Sequence, residues 1–116
     1  MALAARGGVA PSALLDVLTG TQFDTPVYRN YGRLIVERRF HPAGFPAPLA
    51  LKDMRLVGEA AGTARVSMPL LAILCDHLQT AIAREGEDVD STALAEAVEA
   101  SAGLNGHDAG GAGART

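Results

Sequence analysis

Tryptophan is absent from this chain of 116 residues, which contains only two tyrosines, three phenylalanines, one cysteine and one lysine. A chain that is 48% hydrophobic but so poor in aromatic residues favours aliphatic packing between helices over an aromatic-rich sheet. No segment alternates apolar and polar residues over a sustained stretch, which argues against β-strands. The sequence therefore predicts an all-α protein with one small core.

The single cysteine, Cys75, excludes an internal disulfide and a cysteine-based zinc cluster. It lies in the apolar run 68–75, which predicts a buried, unreactive thiol rather than a nucleophile. The three histidines share no metal-ligand spacing with one another; they are His41, His77 and His107. We therefore expect no metal site.

Positive charge is sparse, and the formal net charge at pH 7 is −3. The basic pair Arg38-Arg39 predicts a solvated helix end rather than a phosphate site, and without a basic stripe we expect no nucleic-acid partner. The run 68–75 is too short to span a membrane, and the first eight residues are too short and too weakly apolar for a signal peptide. We expect a cytoplasmic protein without a membrane partner.

Proline and glycine mark the ends of about five predicted helices. The predicted starts are Pro11, the pair Thr25-Pro26 and Pro69, and the predicted stops are Gly20, Gly62 and Gly86. The proline-rich segment 40–48 lies between the helix that starts at Thr25-Pro26 and the helix that ends at Gly62. It predicts a stiff connector with Phe40 and Phe45 as apolar anchors. The prediction is an all-α bundle over residues 1–101, followed by a Gly/Ala-rich tail, 102–116, with too little apolar bulk to fold.

The acidic cluster at residues 85–90 lacks the ligand pattern of a calcium loop, and it predicts a solvated turn followed by a helix cap at Asp90 or Ser91. Gly58 lies inside the helix that follows the connector, where glycine costs about 1 kcal/mol relative to alanine. A close approach by another helix or by a ligand would account for it.

Lys52, the only lysine, stands beside Asp53 in that helix. Four apolar residues fall on one face at helical spacings: Leu49, Leu56, Val57 and Ala60. Lys52 and Asp53 border this face, and a charge at the edge of a buried surface is unfavourable unless it has a polar partner. One interpretation is that Lys52 extends its ammonium to water along a buried stem while Asp53 accepts local hydrogen bonds. The other is that both charges have partners outside the chain.

The stretch from Phe45 to Glu59, which reads FPAPLALKDMRLVGE, resembles the signature K-D-L-G-x-A-x-D in the carboxy-terminal helical domain of the β-hydroxyacid dehydrogenases. This is the family of 3-hydroxyisobutyrate dehydrogenase and tartronate semialdehyde reductase, whose helical domain is of the 6-phosphogluconate dehydrogenase type. Arg55 in place of glycine is the clearest departure from the signature. The turn 86–90 is similar to the Gly-x-x-x-Asp segment of the same family.

The resemblance implies that the complete enzyme uses NAD or NADP and acts on a small 3-hydroxy acid. By this likeness Lys52 contacts the cofactor, Asp53 orients polar groups around the catalytic lysine, and Phe45 packs over the edge of the cofactor. The dinucleotide-binding domain and the catalytic lysine of the family do not occur in this sequence, so we expect no catalytic residue in this chain and no turnover by it alone.

The start of the chain predicts self-association. Residues 1–6 look like the end of a helix whose beginning is missing, which would leave the faces of Leu14, Leu34 and Leu71 uncovered and so predicts a homo-oligomer. Two alternatives remain open. The chain is a stand-alone helical interaction module whose Lys52 face binds a partner protein, or the likeness is only that of one helical bundle to another.

Overall fold

The computed structural model describes residues 1–106, which form six α-helices and one short 3-10 helix. The α-helices are α1 (Ala2–Arg6), α2 (Pro11–Thr19), α3 (Pro26–Val36), α4 (Ala47–Ala64), α5 (Pro69–Glu85) and α6 (Leu94–Ser101), and the 3-10 helix is Ser91–Ala93. Among these residues there is no strand, and a single isolated β-bridge joins Pro46 to Asp90. The all-α prediction is confirmed.

The chain forms two compact units. Within residues 1–106, one comprises residues 1–39 together with 98–106, and the other comprises Phe40–Ala97. No helix within residues 1–106 is long and apolar enough to cross a membrane.

The first unit is built on α2 and α3, and both start at the predicted prolines. The hydroxyl oxygen of Thr25 accepts the backbone N–H of Tyr28 at 3.4 Å, so Thr25 is the N-cap of α3 as predicted. Gly32 is buried in α3, and a Cβ atom there would overlap the side chain of Leu15 on α2. The missing side chain therefore permits close contact between α2 and α3.

The prediction of a solvated basic pair after α3 is wrong for Arg38 and right for Arg39. The Arg38 guanidinium donates to Oε2 of the buried Glu99 at 2.9 Å, whereas Arg39 is exposed and pairs with Glu37. The partner of Arg38 lies 61 positions later in the sequence, so no local pattern indicates this ion pair.

The second unit contains α4, α5, the 3-10 helix and the first part of α6. The α4 helix starts at Ala47 with Pro46 as its N-cap, so the connector is two residues shorter than predicted. Pro48 lies in the first turn of α4, where a helix tolerates proline because the N–H it lacks has no partner in that turn. The α5 helix runs from Pro69 to Glu85 with Gly86 at its end, as predicted.

The core of the second unit combines small and large apolar side chains. Its members are Phe40, Ala47, Ala50, Leu51, Leu78, Ala81, Val89 and Ala93. The predicted close approach at Gly58 is confirmed, because a Cβ atom there would lie 3.3 Å from Cδ2 of Leu71 on α5. Small residues on α4 thus allow α5 to pack closely against it.

The predicted tail 102–116 is only partly described. Within it, Leu104 is buried. Residues 107–116, which include His107, lie outside the described residues.

Candidate functional site

The buried side of α4 differs from the predicted one. Ala47, Ala50 and Leu51 are buried, and Met54 and Gly58 continue this face half-buried. The predicted face is on the solvent side, where Leu49 and Leu56 are 44% and 53% exposed. The prediction was wrong because α4 is apolar on two sides, and α5 packs against the side with the smaller residues.

Lys52 and Asp53 are both exposed on α4, so the prediction that they border a buried face is wrong as well. Within residues 1–106, neither side chain forms an ion pair or a hydrogen bond with another residue. At spacings of three and four residues from Leu49 and Leu56, both charges lie on the same side of the helix as these two leucines. The result is an exposed Lys-Asp pair bordered by exposed apolar side chains.

Phe45 lies just before α4, and its half-buried side chain packs against the core of the second unit. Lys52 comes six residues after the N-cap Pro46, and the helical rise places it about 9 Å along the axis from that cap. Phe45 therefore lies in the connector just before the helix that carries Lys52 on its exposed side.

Asp90 fixes the segment just before the N-terminus of α4. Its carboxylate is almost fully buried, with 2% of the residue exposed, and both of its oxygens accept hydrogen bonds. Oδ2 accepts the backbone N–H groups of Gly44 and Phe45, each at 3.0 Å. Oδ1 accepts the backbone N–H of Thr92 at 2.9 Å and the Thr92 hydroxyl at 2.6 Å. Four donors thus converge on one carboxylate.

These donors lower the pKa of Asp90. Burial is the largest single influence and by itself raises the pKa, because it disfavours the charged form. The hydrogen bonds from the Thr92 hydroxyl and from the backbone N–H groups of Phe45, Thr92 and Gly44 together outweigh burial, so the pKa falls below its ordinary value of 3.8. The carboxylate is therefore ionised at neutral pH.

Three backbone hydrogen bonds join the same two segments. The N–H of Ala47 donates to Val89 O, the N–H of Asp90 donates to Phe40 O, and the N–H of Ser91 donates to Phe45 O, each at 2.8 Å. The connector before α4 and the turn before the 3-10 helix therefore form one hydrogen-bonded unit. The backbone of Phe45 is held on both its N–H and its C=O.

The acidic segment forms a solvated turn followed by a helix cap, as predicted. Glu85, Glu87 and Asp88 are exposed, and the exposed ring of His41 lies 3.7 Å from a carboxylate oxygen of Glu85 and 3.8 Å from one of Asp88. The predicted cap at Asp90 is confirmed, but its contacts with the connector were missed. An aspartate two residues before a threonine is a local pattern that indicates a cap. It gives no indication of the bond to Phe45, which lies 45 positions away in the sequence.

Cys75 is half-buried rather than fully buried. It lines an open groove of about 610 Å³ between α4 and α5, together with Met54, Gly58 and Leu71 among others. No group of three or more His, Cys, Asp or Glu side chains in residues 1–106 is placed to hold a metal ion.

Comparison with known proteins identifies the class to which this helical fold belongs. Residues 1–98 match the protein family described as the NAD-binding domain of NADP-dependent 3-hydroxyisobutyrate dehydrogenase. In structure, the chain is similar to 3-hydroxyisobutyrate dehydrogenase from Salmonella typhimurium, with a TM-score of 0.74 and 24% identity over 84% of this chain and 34% of that one.

In sequence, the chain is similar to proteins that include an oxidoreductase and a reductase. The oxidoreductase YfjR of Bacillus subtilis is 36% identical over 92 residues, which are 79% of this chain and 32% of that protein. The 2-hydroxy-3-oxopropionate reductase of Escherichia coli is 27% identical over 96 residues, which are 83% of this chain and 32% of that protein. The chain spans about a third of the length of these relatives.

The chain belongs to the family of NAD-binding domains of 3-hydroxyisobutyrate dehydrogenases, because the match covers residues 1–98 of its 116. The resemblance stated from the stretch Phe45–Glu59 is thereby confirmed, and the alternative of a mere likeness between helical bundles is wrong.

Proposed function

We propose that the chain is the carboxy-terminal helical domain of an NAD(P)-dependent 3-hydroxy acid dehydrogenase and forms one wall of its cofactor and substrate cleft. The observation that carries this proposal is the exposed pair Lys52 and Asp53, which has no partner within residues 1–106. Ionised side chains that are exposed beside apolar ones are available to a polar ligand or to a second domain. The family match supports a nicotinamide cofactor as that ligand.

The two charges and the aromatic ring suit different parts of such a ligand. The Lys52 ammonium is a compact cation with three donors, which suits the oxygens of a phosphate or an amide. The Asp53 carboxylate is an acceptor, which suits it to orient a protonated amine or a hydroxyl group. The half-buried Phe45 side chain is suited to offer an apolar surface to a flat heterocycle. When bound, the cofactor supplies the hydride donor or acceptor.

The proposal gives this chain no catalytic residue. Its sequence contains no G-x-G-x-x-G motif for the cofactor's phosphates and no lysine other than Lys52. Phosphate binding and proton transfer are therefore assigned to residues outside the sequence, and the chain alone is expected to be inactive.

The test begins with the coding DNA ahead of Met1, where the proposal expects an in-frame dinucleotide-binding domain. The complete protein is then assayed for oxidation of small 3-hydroxy acids with NAD and NADP. Lys52→Ala should lower kcat/KM for the cofactor by about tenfold or more, which corresponds to the loss of one charge-assisted contact. Arg84→Ala, which removes an exposed cation from α5, is the matched control and should have little effect.

An upstream sequence without such a domain would contradict this proposal. Wild-type kinetics in the Lys52→Ala protein would contradict the role given to Lys52.

We further infer that the domain contacts a second copy of itself through one apolar surface, the α4–α5 face. Val57, Met68, Leu70 and Leu74 line one groove between the two helices. Leu56 on α4 and Ile73 on α5 add further exposed apolar side chains, and the six residues are between 38% and 71% exposed. Arg55 and Glu59 are exposed on the rim of the adjacent groove. Because Arg55 and Glu59 carry opposite charges, two copies related by a two-fold axis can pair unlike charges along this rim.

The proposed contact surface differs from the one expected from the sequence. Leu14, Leu34 and Leu71 are half-buried, whereas Leu70 and Ile73 are among the most exposed apolar residues of α5. The same face supports the alternative of a helical interaction module without cofactor chemistry. The dehydrogenase proposal and the interaction-module alternative differ in what they require of Lys52. Only the dehydrogenase proposal requires that Lys52 contact the cofactor.

A further inference from the structure

We propose that Asp90 is a positioning residue for the cofactor-facing site: its carboxylate holds the connector so that Phe45 is presented beside the α4 helix that carries Lys52. This inference rests on the proposed function. Asp90 touches neither cofactor nor substrate in the proposal and acts only through the backbone of Gly44 and Phe45.

The hydrogen bonds of Asp90 exceed what a helix cap needs. Capping of the 3-10 helix uses Oδ1, which accepts the N–H of Thr92. Oδ2 takes no part in the cap and accepts two backbone N–H groups of the connector instead. One side chain therefore has two separable roles, one towards the helix that follows it and one towards the entrance of α4.

The arrangement requires a carboxylate. All four groups that face Asp90 are donors, and an ionised carboxylate offers acceptors only. Asparagine has the same shape but would turn its NH₂ group towards one of the two donor pairs. Serine keeps a hydroxyl oxygen that caps a helix well, but its side chain is too short to serve the connector at the same time. Asp90→Ser therefore separates the two roles.

The contact bears on Phe45 in particular. Its N–H is held by Asp90 and its C=O accepts the N–H of Ser91, so the peptide groups on both sides of Phe45 are fixed. The next anchor is the bond from the Ala47 N–H to Val89 O, at the first residue of α4. Without the carboxylate, the segment from Gly44 to Phe45 loses two of these bonds while α4 keeps its own.

The experiment uses the ¹⁵N-labelled chain, wild type and Asp90→Ser, with Asp88→Ser as the matched control in the same turn, since the Asp88 side chain is 87% exposed. In Asp90→Ser the helical signal should persist. The amide protons of Gly44 and Phe45 should lose the downfield shift of a charge-assisted bond and exchange about tenfold faster or more. The shift changes that NADPH causes at Phe45 should fall severalfold, with a smaller loss at Lys52.

Unchanged Gly44 and Phe45 amides in Asp90→Ser would overturn the proposal, and so would an NADPH response at Phe45 equal to that of the wild type. If the wild type shows no NADPH response at all, the proposed function fails and the positioning role fails with it, which is a distinct result. If the variant does not fold, the wild type labelled with both ¹³C and ¹⁵N provides the test. The amide shifts of Gly44 and Phe45 must titrate together with the carboxyl carbon of Asp90, and independent titration overturns the proposal.

Discussion

The Oδ2 atom of Asp90 accepts the backbone N–H of Phe45 at 3.0 Å, across 45 positions of the sequence. Through this bond, a buried carboxylate outside α4 controls the entrance of the helix that presents Lys52 and Asp53. The proposed site thus depends on two segments that are far apart in the chain and that belong to the same compact unit.

Acid should weaken the chain partly through Asp90. Its pKa is lower in the folded chain than in the unfolded chain, so its stabilisation is fully present above the ordinary value of 3.8. That stabilisation is lost as the pH falls through the lower folded value. Urea unfolding of the wild type and Asp90→Ser, from neutral pH down into this acidic range, should show a difference in unfolding free energy that shrinks with acid. A constant difference at every pH would contradict the assignment.

Gly58→Ala should stabilise the chain by up to about 1 kcal/mol, because alanine is the better residue inside a helix. The new methyl group would lie 3.3 Å from Cδ2 of Leu71, which is tight. Leu71 borders the groove of about 610 Å³ and has room to move away. Thermal unfolding measures the effect, and a lower melting temperature would show that Leu71 does not give way.

Thr25→Ala should lower the free energy of unfolding by about 0.5–1 kcal/mol, since the variant loses the N-cap of α3. The lower half of the usual range is expected because the bond from Tyr28 N to the hydroxyl oxygen is long, at 3.4 Å. Thr80→Ala is the matched control: its hydroxyl donates to Asp76 O within α5, where alanine is the better helix former. Chemical unfolding measures the free energy of unfolding of both variants. An equal loss in the two variants would contradict the role given to Thr25.

Ile73→Glu should turn self-associated chains into monomers, because it places a charge in the proposed α4–α5 face, to which Ile73 contributes a side chain that is 50% exposed. Leu3→Glu is the control, since Leu3 is an exposed apolar residue on α1, outside that face. Sedimentation at tens of micromolar measures the oligomeric state of the wild type and of both variants. A monomeric wild type, or the loss of association in Leu3→Glu as well, would contradict the proposed contact.

The starts of α2 and α3 and both ends of α5 could be read from the sequence because their causes are local. The ends of α4 could not, since it starts at Ala47 and runs past the predicted stop at Gly62 to Ala64. Thr25 caps α3 through an N–H three residues away, and Pro69 and Gly86 bound α5 by the conformations that proline and glycine allow. The connector and the Lys52-Asp53 pair could also be located from the sequence, because the features that mark them are local. The signature around Lys52 was sufficient to indicate the family.

The buried face of α4 could not be read in this way. Leu49, Leu51 and Leu56 are equally apolar, and only the packing of α5 against Ala47, Ala50 and Gly58 decides which side is covered. The second role of Asp90 is non-local in the same sense, because its donors on the connector come close only in the folded unit.

The most direct test of the account is a residue-resolved titration of the ¹⁵N-labelled chain with NADH and NADPH up to about 10 mM. One-sided contact predicts a Kd weaker than about 1 mM, which corresponds to about 4 kcal/mol or less. The amide shift changes should be largest at Phe45, Lys52 and Asp53, and Lys52→Ala should reduce them while Arg84→Ala does not. Changes centred elsewhere in residues 1–106, or none at the highest concentration, would contradict the claim that this surface of α4 faces the cofactor.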